Sequence, residues 1–310
     1  MSKKVLVAGG AGFVGSHLVD LLLEKNYEVT ILDNCVTGHK KNIAHLDNKV
    51  RFIEKDIREP LKFDQNFDQI YNLASPASPI DFEKIPMFIM ETASIGHKNL
   101  LEVGKETGAR VFFASTSEVY GDPEVHPQQE DYRGNVNIIG PRSCYDEAKR
   151  YGETLTMIYN RKYGVDTRIV RIFNTYGPRM RPEDGRVIPN FFSQALAKKP
   201  LTVFGTGKQT RSLCFVRDEV EGLFKLMESN EARPVNIGNP QELTMLELAD
   251  TINKLLGNTA GVEFKPLPAD DPQRRRPDIT RAKEVLNWEP KISLEDGLQK
   301  TFEYFKQELK

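Results

Sequence analysis

A tyrosine and a lysine stand four residues apart in the stretch SCYDEAKRYGETL, whose apolar spacing predicts a helix. Residues at this spacing share one helix face, so Tyr145 and Lys149 would lie one turn apart. Because a nearby ammonium stabilises a phenolate, we expect the pKa of Tyr145 to fall from about 10 toward neutrality. Such a tyrosine is a general base for a hydroxyl proton while hydride leaves the same carbon. The pair alone is common on helices, so its meaning depends on its surroundings.

A second group that could do chemistry follows the apolar run RVFFA. Thr116, Ser117 and Glu118 come one after another where this predicted strand ends. A carboxyl group at the end of a strand could exchange a proton with a bound substrate. In an ordinary loop, Glu118 would be one acidic residue among many.

Three glycines, Gly9, Gly12 and Gly15, lie three apart between a predicted strand and a predicted helix. In this setting the first permits a tight turn, the second lets the backbone approach a pyrophosphate, and the third allows close helix packing. Asp33 ends the next predicted strand, where it would accept hydrogen bonds from ribose hydroxyls and repel a 2′-phosphate. The pattern predicts a dinucleotide site that prefers NAD to NADP.

The elements that must position these groups alternate from residue 4 to residue 115. Short apolar or β-branched runs alternate with helix-like stretches, which favours parallel β-α units. A long helix pattern at 143–164 and a strand candidate ending near residue 174 follow. We therefore expect an α/β fold: a Rossmann-type doubly wound parallel sheet in residues 1–174, and a smaller, interleaved C-terminal lobe in residues 175–310 with some segments returning to the first domain.

Composition limits the classes of partner. The chain has 310 residues, 39% of them hydrophobic and 28% charged, with a net charge of −1, so it offers no basic footprint for nucleic acid. Three scattered cysteines, Cys35, Cys144 and Cys214, have no metal-ligand spacing and favour a reducing compartment. The sequence shows no leader pattern and no apolar run approaching ~20 residues. We expect a cytoplasmic protein with small-molecule partners and no metal.

Together, the glycines, Asp33, the hydroxyl residues and YDEAK resemble the extended short-chain dehydrogenase/reductase family, whose usual substrates are nucleotide sugars. The resemblance implies that Thr116 is the catalytic Ser/Thr that hydrogen-bonds the sugar hydroxyl. In the family's 4,6-dehydratases the string is Thr-Asp-Glu, where Asp protonates the departing 6-hydroxyl and Glu takes the C5 proton. In its 4-epimerases both later positions are typically non-acidic. Here Ser117 replaces the acid needed to expel water, while Glu118 is kept.

This arrangement suits a substrate that loses something other than water. Oxidation at C4 of a hexuronic acid gives a β-keto acid, whose carboxylate leaves as CO2. A single carboxyl group could then manage protonation at C5, and the NADH just formed would reduce the ketone.

Longer strings make the resemblance more specific. They resemble the UDP-glucuronate decarboxylase family from about residue 4 to 308, and they are LASPASP (73–79), ASTSEVYGDPEVHPQ (114–128), GPRSCYDEAKR (140–150), RIFNTYGPRM (171–180), DGRVIPNF (184–191) and DDPQRRRPDI (270–279). The resemblance implies conversion of UDP-glucuronate to UDP-xylose by an NAD-dependent decarboxylase. It also implies a homodimer formed by helices at 86–104 and around Tyr145. A uronate 4-epimerase, a 4,6-dehydratase and a non-catalytic dinucleotide-binding protein remain alternatives.

The family's functional residues can be carried over to matching positions. Arg275 is implied to neutralise the substrate carboxylate, with Glu118 as its acidic partner. The implied catalytic residues are Thr116, Ser117, Glu118, Tyr145, Lys149 and Arg275. The implied NAD-binding residues are Gly9, Gly12, Phe13, Val14, Gly15, Asp33, Asn34, Thr37, Asp56, Ile57, Leu73, Ser75, Thr92, Ser115, Tyr145 and Lys149. The implied substrate-binding residues are Pro76, Ser78, Glu118, Asn174, Arg186, Asn190, Thr202, Arg211 and Arg275.

Four positions depart from the family pattern. The helix at 86–104 has Glu91 where the family commonly has Lys, Ala93 where it has Asn, and His97 where it has Thr. The lysine lies near the substrate in relatives and the asparagine supports the central strands. Pro189 replaces a usual Ser. We expect altered substrate contacts and hydrogen bonding along this helix, with the catalytic groups unaffected.

Overall fold

The computed structural model describes residues 2–267 and 274–309. Its strands, in chain order, are β1 (Lys4–Ala8), β2 (Glu28–Asp33), β3 (Arg51–Glu54), β4 (Gln69–Asn72), β5 (Arg110–Thr116), β6 (Thr167–Ile172), β7 (Thr175–Tyr176), β8 (Leu201–Phe204), β9 (Thr210–Ser212), β10 (Cys214–Phe215), β11 (Val235–Ile237), β12 (Glu242–Thr244) and β13 (Val262–Lys265). The helices are α1 (Phe13–Glu24), α2 (Pro79–Lys84), α3 (Pro86–Glu91), α4 (His97–Thr107), α5 (Ser143–Tyr163), α6 (Val187–Leu196), α7 (Val216–Glu228), α8 (Met245–Leu256), α9 (Thr280–Leu286) and α10 (Leu294–Glu308). A π-helical turn, Thr92–Gly96, joins α3 to α4, and 3₁₀ turns span Lys40–Leu46 and Ser117–Tyr120.

Seven strands form one parallel sheet in the order β11-β6-β5-β4-β1-β2-β3. The apolar runs predicted as strands are buried because helices cover both faces of the sheet. Parallel strands end at the same edge, so Gly9, Asp33, Leu73 and Thr116 are brought to one side of the molecule. The predicted α/β, Rossmann-type fold is confirmed.

The C-terminal part of the chain contributes to this sheet as well as to smaller ones. Strand β11 pairs with β6 at the sheet edge, and α7 packs against α1 and β6. Three two-stranded sheets, β7 with β10, β8 with β13 and β9 with β12, lie outside the main sheet. A segment after residue 174 therefore returns to the main sheet, while the division into two domains at that residue stays a prediction.

A buried histidine connects the sheet to the helices behind the catalytic pair. Asn72, at the end of β4, donates to His97 Nδ1 (3.0 Å), which leaves His97 Nε2–H to donate to Thr156 Oγ1 (2.7 Å) on α5. Thr156 donates onward to the carbonyl of Gly152 (2.7 Å). Ala93 is buried beside this segment. The hydrogen bonds expected to be disturbed at this helix are thus supplied by His97.

This histidine makes stability depend on pH. Burial, and to a lesser degree the charge of Lys149, lowers the pKa of His97 to about 3. Below about pH 6.5 this histidine binds a proton in the unfolded chain but stays neutral in the native protein. Its contribution to the free energy of unfolding is therefore fully present above that pH and is lost as the pH falls toward the native pKa. We expect wild type to lose about 2 kcal/mol more than His97→Gln between about pH 7.5 and about pH 5. Urea unfolding at both pH values measures this difference, and equal losses would remove His97 as the cause.

Candidate active site

A cavity of about 660 Å³ lies at the carboxyl edge of the sheet, between the sheet and the short-stranded C-terminal part. Its size suits a nucleotide-sized ligand. Its lining includes every catalytic residue implied by the resemblance: Thr116, Ser117, Glu118, Tyr145, Lys149 and Arg275. Of the DDPQRRRPDI string, residues 270–273 lie outside the described part of the chain.

A smaller cavity of about 60 Å³ shares Gly9, Gly12, Thr37, Leu73 and Ser75 with the large one. The predicted NAD-binding residues divide between the two. Those lining the large cavity are Gly9, Gly12, Phe13, Val14, Gly15, Thr37, Leu73, Ser75, Ser115, Tyr145 and Lys149. The smaller cavity adds Asp33, Asn34, Asp56, Ile57 and Thr92. The structure thus brings all of them to one continuous surface.

The turn between β1 and α1 has the geometry that a dinucleotide-binding turn needs. Gly9 has φ +80°, and a Cβ at Gly15 would lie 2.0 Å from the Gly9 carbonyl oxygen, so α1 starts directly against the turn. Gly12 caps α1 without a side-chain hydrogen bond, which leaves the amide groups of the first helical turn available to an anion. Asp33 faces the smaller cavity and accepts backbone N–H bonds from Ala11 (2.9 Å) and Cys35 (2.8 Å). Its remaining lone pairs suit ribose hydroxyls.

Glu91, the first departure, forms an ion pair outside the lining of both cavities. Its carboxylate pairs with Arg58 (2.6 Å), which also binds Asp56 (2.9 Å). Neither cavity is lined by Glu91. Arg58 therefore neutralises the acid that replaces the family's lysine, next to Asp56, one of the predicted NAD-binding residues.

Tyr145 is buried, with its ring stacked on Phe82 (4.9 Å between centroids, 18° between planes). Burial raises the pKa of Tyr145, although a hydrogen bond with Thr116 opposes the rise. Lys149 Nζ lies 5.6 Å from the centre of the tyrosine ring and donates to the carbonyl of Ala114 (2.8 Å). Burial lowers the pKa of Lys149 to about 7, so it carries only part of a charge near neutral pH. The prediction that Lys149 lowers the pKa of Tyr145 is wrong. Burial raises the pKa of Tyr145, and burial also leaves Lys149 only partly charged.

Glu118 faces two guanidinium groups. Its Oε2 accepts from Arg142 Nη2 (2.6 Å) and lies 3.4 Å from Arg275 Nη2. Burial would raise the pKa of Glu118, but the charges of Arg275 and Arg142 outweigh it and lower that pKa to about 2. Arg275 also donates to the carbonyl oxygens of Ser117 and Gly121. Glu118 is therefore a carboxylate at neutral pH, held within the cavity by cations.

Most of the predicted substrate residues line the large cavity: Ser78, Glu118, Asn174, Arg186, Asn190, Thr202, Arg211 and Arg275. Arg186 pairs with Asp184 (2.8 Å), and Asn190 donates to the carbonyl of Gly185 (2.9 Å). Pro76 lines the smaller cavity instead of the large one. Pro189 is buried on α6. Their roles toward a substrate stay predictions.

Across the described residues, no helix is both long and apolar enough to cross a bilayer. Within the same residues, no group of three His, Cys, Asp or Glu side chains is placed to hold a metal ion.

Comparison with known proteins places this site in a family. The family model for GDP-mannose 4,6 dehydratase matches residues 6–301. UDP-glucuronic acid decarboxylase 1 of Arabidopsis thaliana is 54% identical over 305 residues, which cover 98% of this chain and 70% of the plant protein. The enzyme of the same name from Danio rerio is 53% identical over 309 residues, covering 99% and 73%. The chain belongs to the UDP-glucuronic acid decarboxylase family.

Membership in the UDP-glucuronic acid decarboxylase family confirms the resemblance drawn from the motifs. The scaffold is shared more widely. A mutant UDP-glucuronic acid 4-epimerase from Bacillus cereus, solved with UDP-4-deoxy-4-fluoro-glucuronic acid and NAD, has a TM-score of 0.88 at 30% identity, covering 98% of this chain and 99% of that one. The fold therefore does not separate decarboxylation from epimerisation, and the side chains around Glu118 must do so.

Two charged residues of the site were missed by sequence reasoning. Arg142 stands three residues before Tyr145 inside GPRSCYDEAKR, so the motif contained the signal, but nothing in the spacing linked it to Glu118. Asp146 is buried, and burial with the nearby charge of Glu118 raises its pKa to about 7. In this decarboxylase family member, the charged or titratable groups around Glu118 among the described residues thus include Arg142, Asp146, Arg211 and Arg275.

Proposed function

We propose that the protein converts UDP-glucuronate to UDP-xylose and CO2 through transient oxidation at C4, with NAD as its resident cofactor. The observation that carries the proposal is the Glu118 carboxylate, which lies between the guanidinium groups of Arg142 and Arg275 in the cavity lined by Tyr145. A uronate brings a second carboxylate that these two cations can neutralise, whereas a neutral hexose brings no anionic group to them. The relatives at 54% and 53% identity carry the name of this activity.

Oxidation begins at the C4 hydroxyl. Tyr145 Oη accepts the hydroxyl proton, and Thr116, which shares a hydrogen bond with Tyr145, orients the sugar oxygen. The Gly9 turn, Tyr145 and Lys149 line one cavity and would hold NAD, whose chemistry is to accept a hydride and give it back. Burial raises the pKa of Tyr145, and the positive charge of the oxidised cofactor would offset part of the cost of forming the phenolate.

The ketone at C4 makes the C6 carboxylate a β-keto acid group. The C5–C6 bond breaks, its electron pair passes into an enolate at C4–C5, and CO2 leaves. Tyr145 and Thr116 hydrogen-bond the enolate oxygen. One proton must then reach C5 from solvent for each CO2 released. Of the acidic residues that line the cavity, Asp81, Glu83, Glu118 and Asp184, we assign this transfer to Glu118, which stands two residues after Thr116. The product forms when C4 regains its hydride and the C4 oxygen regains the proton from Tyr145.

Two alternatives use the same scaffold. A 4-epimerase would return the hydride to the opposite face of C4 and keep the carboxylate. A 4,6-dehydratase would need an acid at position 117 to expel water, and Ser117 cannot supply one.

Product analysis separates these functions. Purified protein given UDP-glucuronate is expected to yield UDP-xylose and an equal amount of CO2, with no lasting NADH absorbance. A UDP-hexuronate isomer as sole product would replace the proposal with epimerisation. Omitting added NAD tests whether the cofactor is retained from purification.

We also propose a homodimer. Large apolar side chains are exposed on α3, the π-helical turn and α5: Met87, Met90, Ile95, Tyr151 and Ile158. Exposed apolar side chains spread over adjacent helices are typical of an interface. We expect light scattering to give twice the mass of one chain, and Ile95→Glu combined with Tyr151→Glu to give monomer. A wild-type protein that is monomeric at micromolar concentration would contradict this.

A further inference from the structure

A buried pair of side chains, Tyr120 and Asn236, connects the turn that carries Glu118 to a distant strand. Tyr120 is the last residue of this 3₁₀ turn and is completely buried. Its hydroxyl accepts from Arg171 Nη1 (2.9 Å) and donates to Asn236 Oδ1 (2.8 Å), 116 residues further along the chain. Asn236 is the middle residue of β11, at the edge of the main sheet. The two side chains form a buried link between the turn and this strand.

The amide of Asn236 extends the buried link to a third segment. Its Nδ2 donates to the carbonyl oxygens of Gln128 (3.0 Å) and Asp278 (3.1 Å). Since a carbonyl oxygen can only accept, the amide nitrogen must face these two groups, and the amide oxygen must face Tyr120. Asn236 is completely buried, so a hydrogen bond that it loses leaves its partner unsatisfied.

The third segment is the one that carries Arg275. The backbone N–H of Gln128 donates to the Arg276 carbonyl (2.9 Å), and Gln128 Oε1 accepts from the Arg276 N–H (2.8 Å). The N–H of Asp278 donates to the Gln128 carbonyl (2.9 Å). Arg275, directly before these residues, donates to carbonyl oxygens at the two ends of the Glu118 turn. The turn and the Arg275 segment are therefore connected twice, by Arg275 itself and by the buried link.

Helix α5, which carries Tyr145, is attached to the same link. Arg171 binds the Glu153 carboxylate through Nε (2.9 Å) and Nη2 (2.8 Å), while its Nη1 reaches the Tyr120 hydroxyl. Glu153 lies about two turns after Tyr145 on α5 and also accepts from Ser115 Oγ (2.6 Å). These contacts fix the buried link relative to the helix of the active site.

Glu118 depends on the buried link more than Thr116 does. Thr116 is paired with Ile172 in the register of β5 and β6, so the sheet itself fixes its position. Glu118 lies beyond this pair, in a 3₁₀ turn, a structure whose hydrogen bonds have poorer geometry. A misplacement of about 1 Å can lower a rate about 10²-fold. Loss of the link should therefore slow the steps that use Glu118 and spare the oxidation that uses Thr116 and Tyr145.

We propose that Tyr120 and Asn236 are positioning residues that set the place of Glu118 relative to Arg275, and so serve proton delivery to C5 rather than oxidation at C4. Neither side chain lines the two cavities described above, so both act through the residues that they hold. The assignment to C5 rests on the proposed function. The connection between the Glu118 turn and the Arg275 segment does not.

Amide hydrogen exchange tests this connection without a substrate. Tyr120→Phe removes one oxygen and keeps the buried ring, so Arg171 and Asn236 each lose a partner while the packing is retained. We expect the amides of Arg276 and Asp278 to exchange about tenfold faster than in wild type, with the amides of β1 unchanged. Unchanged β1 amides would show that the effect is local and does not reflect lower global stability. Wild-type exchange rates at Arg276 and Asp278 would overturn the proposal.

Stopped-flow absorbance with UDP-glucuronate tests the assignment to C5. Tyr120→Phe should form NADH within about twofold of the wild-type rate and lose it about 10- to 100-fold more slowly. A merely structural role would lower the fraction of active protein, which reduces the amplitudes and leaves both rate constants of the remaining enzyme unchanged. Equal slowing of the two steps, or an unchanged loss of NADH, would overturn the assignment.

Two further variants make the result specific. Asn236→Ala breaks the link at its other end and should reproduce both results. Combined with Tyr120→Phe, it should slow the loss of NADH no further than the slower single variant, because the two residues act as one network; additive slowing would overturn the link. Tyr159→Phe, which removes another buried hydroxyl, one that binds Glu102, should change neither measurement.

The two measurements also separate this inference from the proposed function. A wild-type product that keeps its carboxylate would overturn the proposed function and the assignment to C5. The exchange rates at Arg276 and Asp278 decide the connection between the two segments whatever the product is.

Discussion

Glu118→Gln is expected to lower kcat about 10²- to 10⁴-fold while leaving the fold and the cofactor content unchanged. The amide fills the same space beside Arg142 and Arg275 but cannot carry a proton to C5. Oxidation at C4 uses Tyr145 and Thr116, so it should still occur. The variant should therefore hold its cofactor reduced, seen as a persistent NADH absorbance after one equivalent of UDP-glucuronate.

A matched control is Glu124→Gln, an exposed acid a few residues further along the same loop, which should keep wild-type turnover. An unchanged rate in Glu118→Gln would remove this residue from the mechanism. Loss of the NADH signal together with loss of turnover would instead assign Glu118 to the oxidation step.

Tyr145→Phe should lower kcat by a similar factor, about 10²- to 10⁴-fold, but at an earlier stage. Phenylalanine keeps the stack on Phe82, so the pocket should keep its shape while losing the group that accepts the C4 proton. The variant should bind UDP-glucuronate yet form no NADH. Turnover within about tenfold of wild type would mean that another group accepts the proton.

The different stalling points make these two variants informative together. Stopped-flow absorbance of the reduced cofactor should show a rise that persists in Glu118→Gln and no rise in Tyr145→Phe. The same time course in both variants would contradict the assignment of Tyr145 to oxidation at C4 and of Glu118 to protonation at C5.

Local spacing was enough to predict much of this site. Helical spacing placed Tyr145 and Lys149 on one face of α5, and the glycine turn, whose Gly9 has φ +80°, lies at the carboxyl end of β1. Strand β11 was missed because its three residues are too short for a periodic pattern. It is a strand only because β6 offers an edge to pair with.

Electrostatics could not be predicted from spacing. The pKa of Tyr145 depends on burial under Phe82, which lies in a distant part of the sequence, and burial also leaves Lys149 partly neutral. Likewise, the departures at Ala93 and His97 suggested lost hydrogen bonds, whereas the histidine connects Asn72 to Thr156. Contacts between residues far apart in sequence decide both outcomes.

In the proposed reaction, a transient ketone at C4 lets CO2 leave, after which a solvent proton enters at C5 and the original C4 hydrogen returns. The most direct measurement is NMR of the product formed from UDP-glucuronate in D2O. We expect UDP-xylose with one deuterium at C5 and none at C4. Deuterium at C4, or a product that keeps the carboxylate, would contradict it.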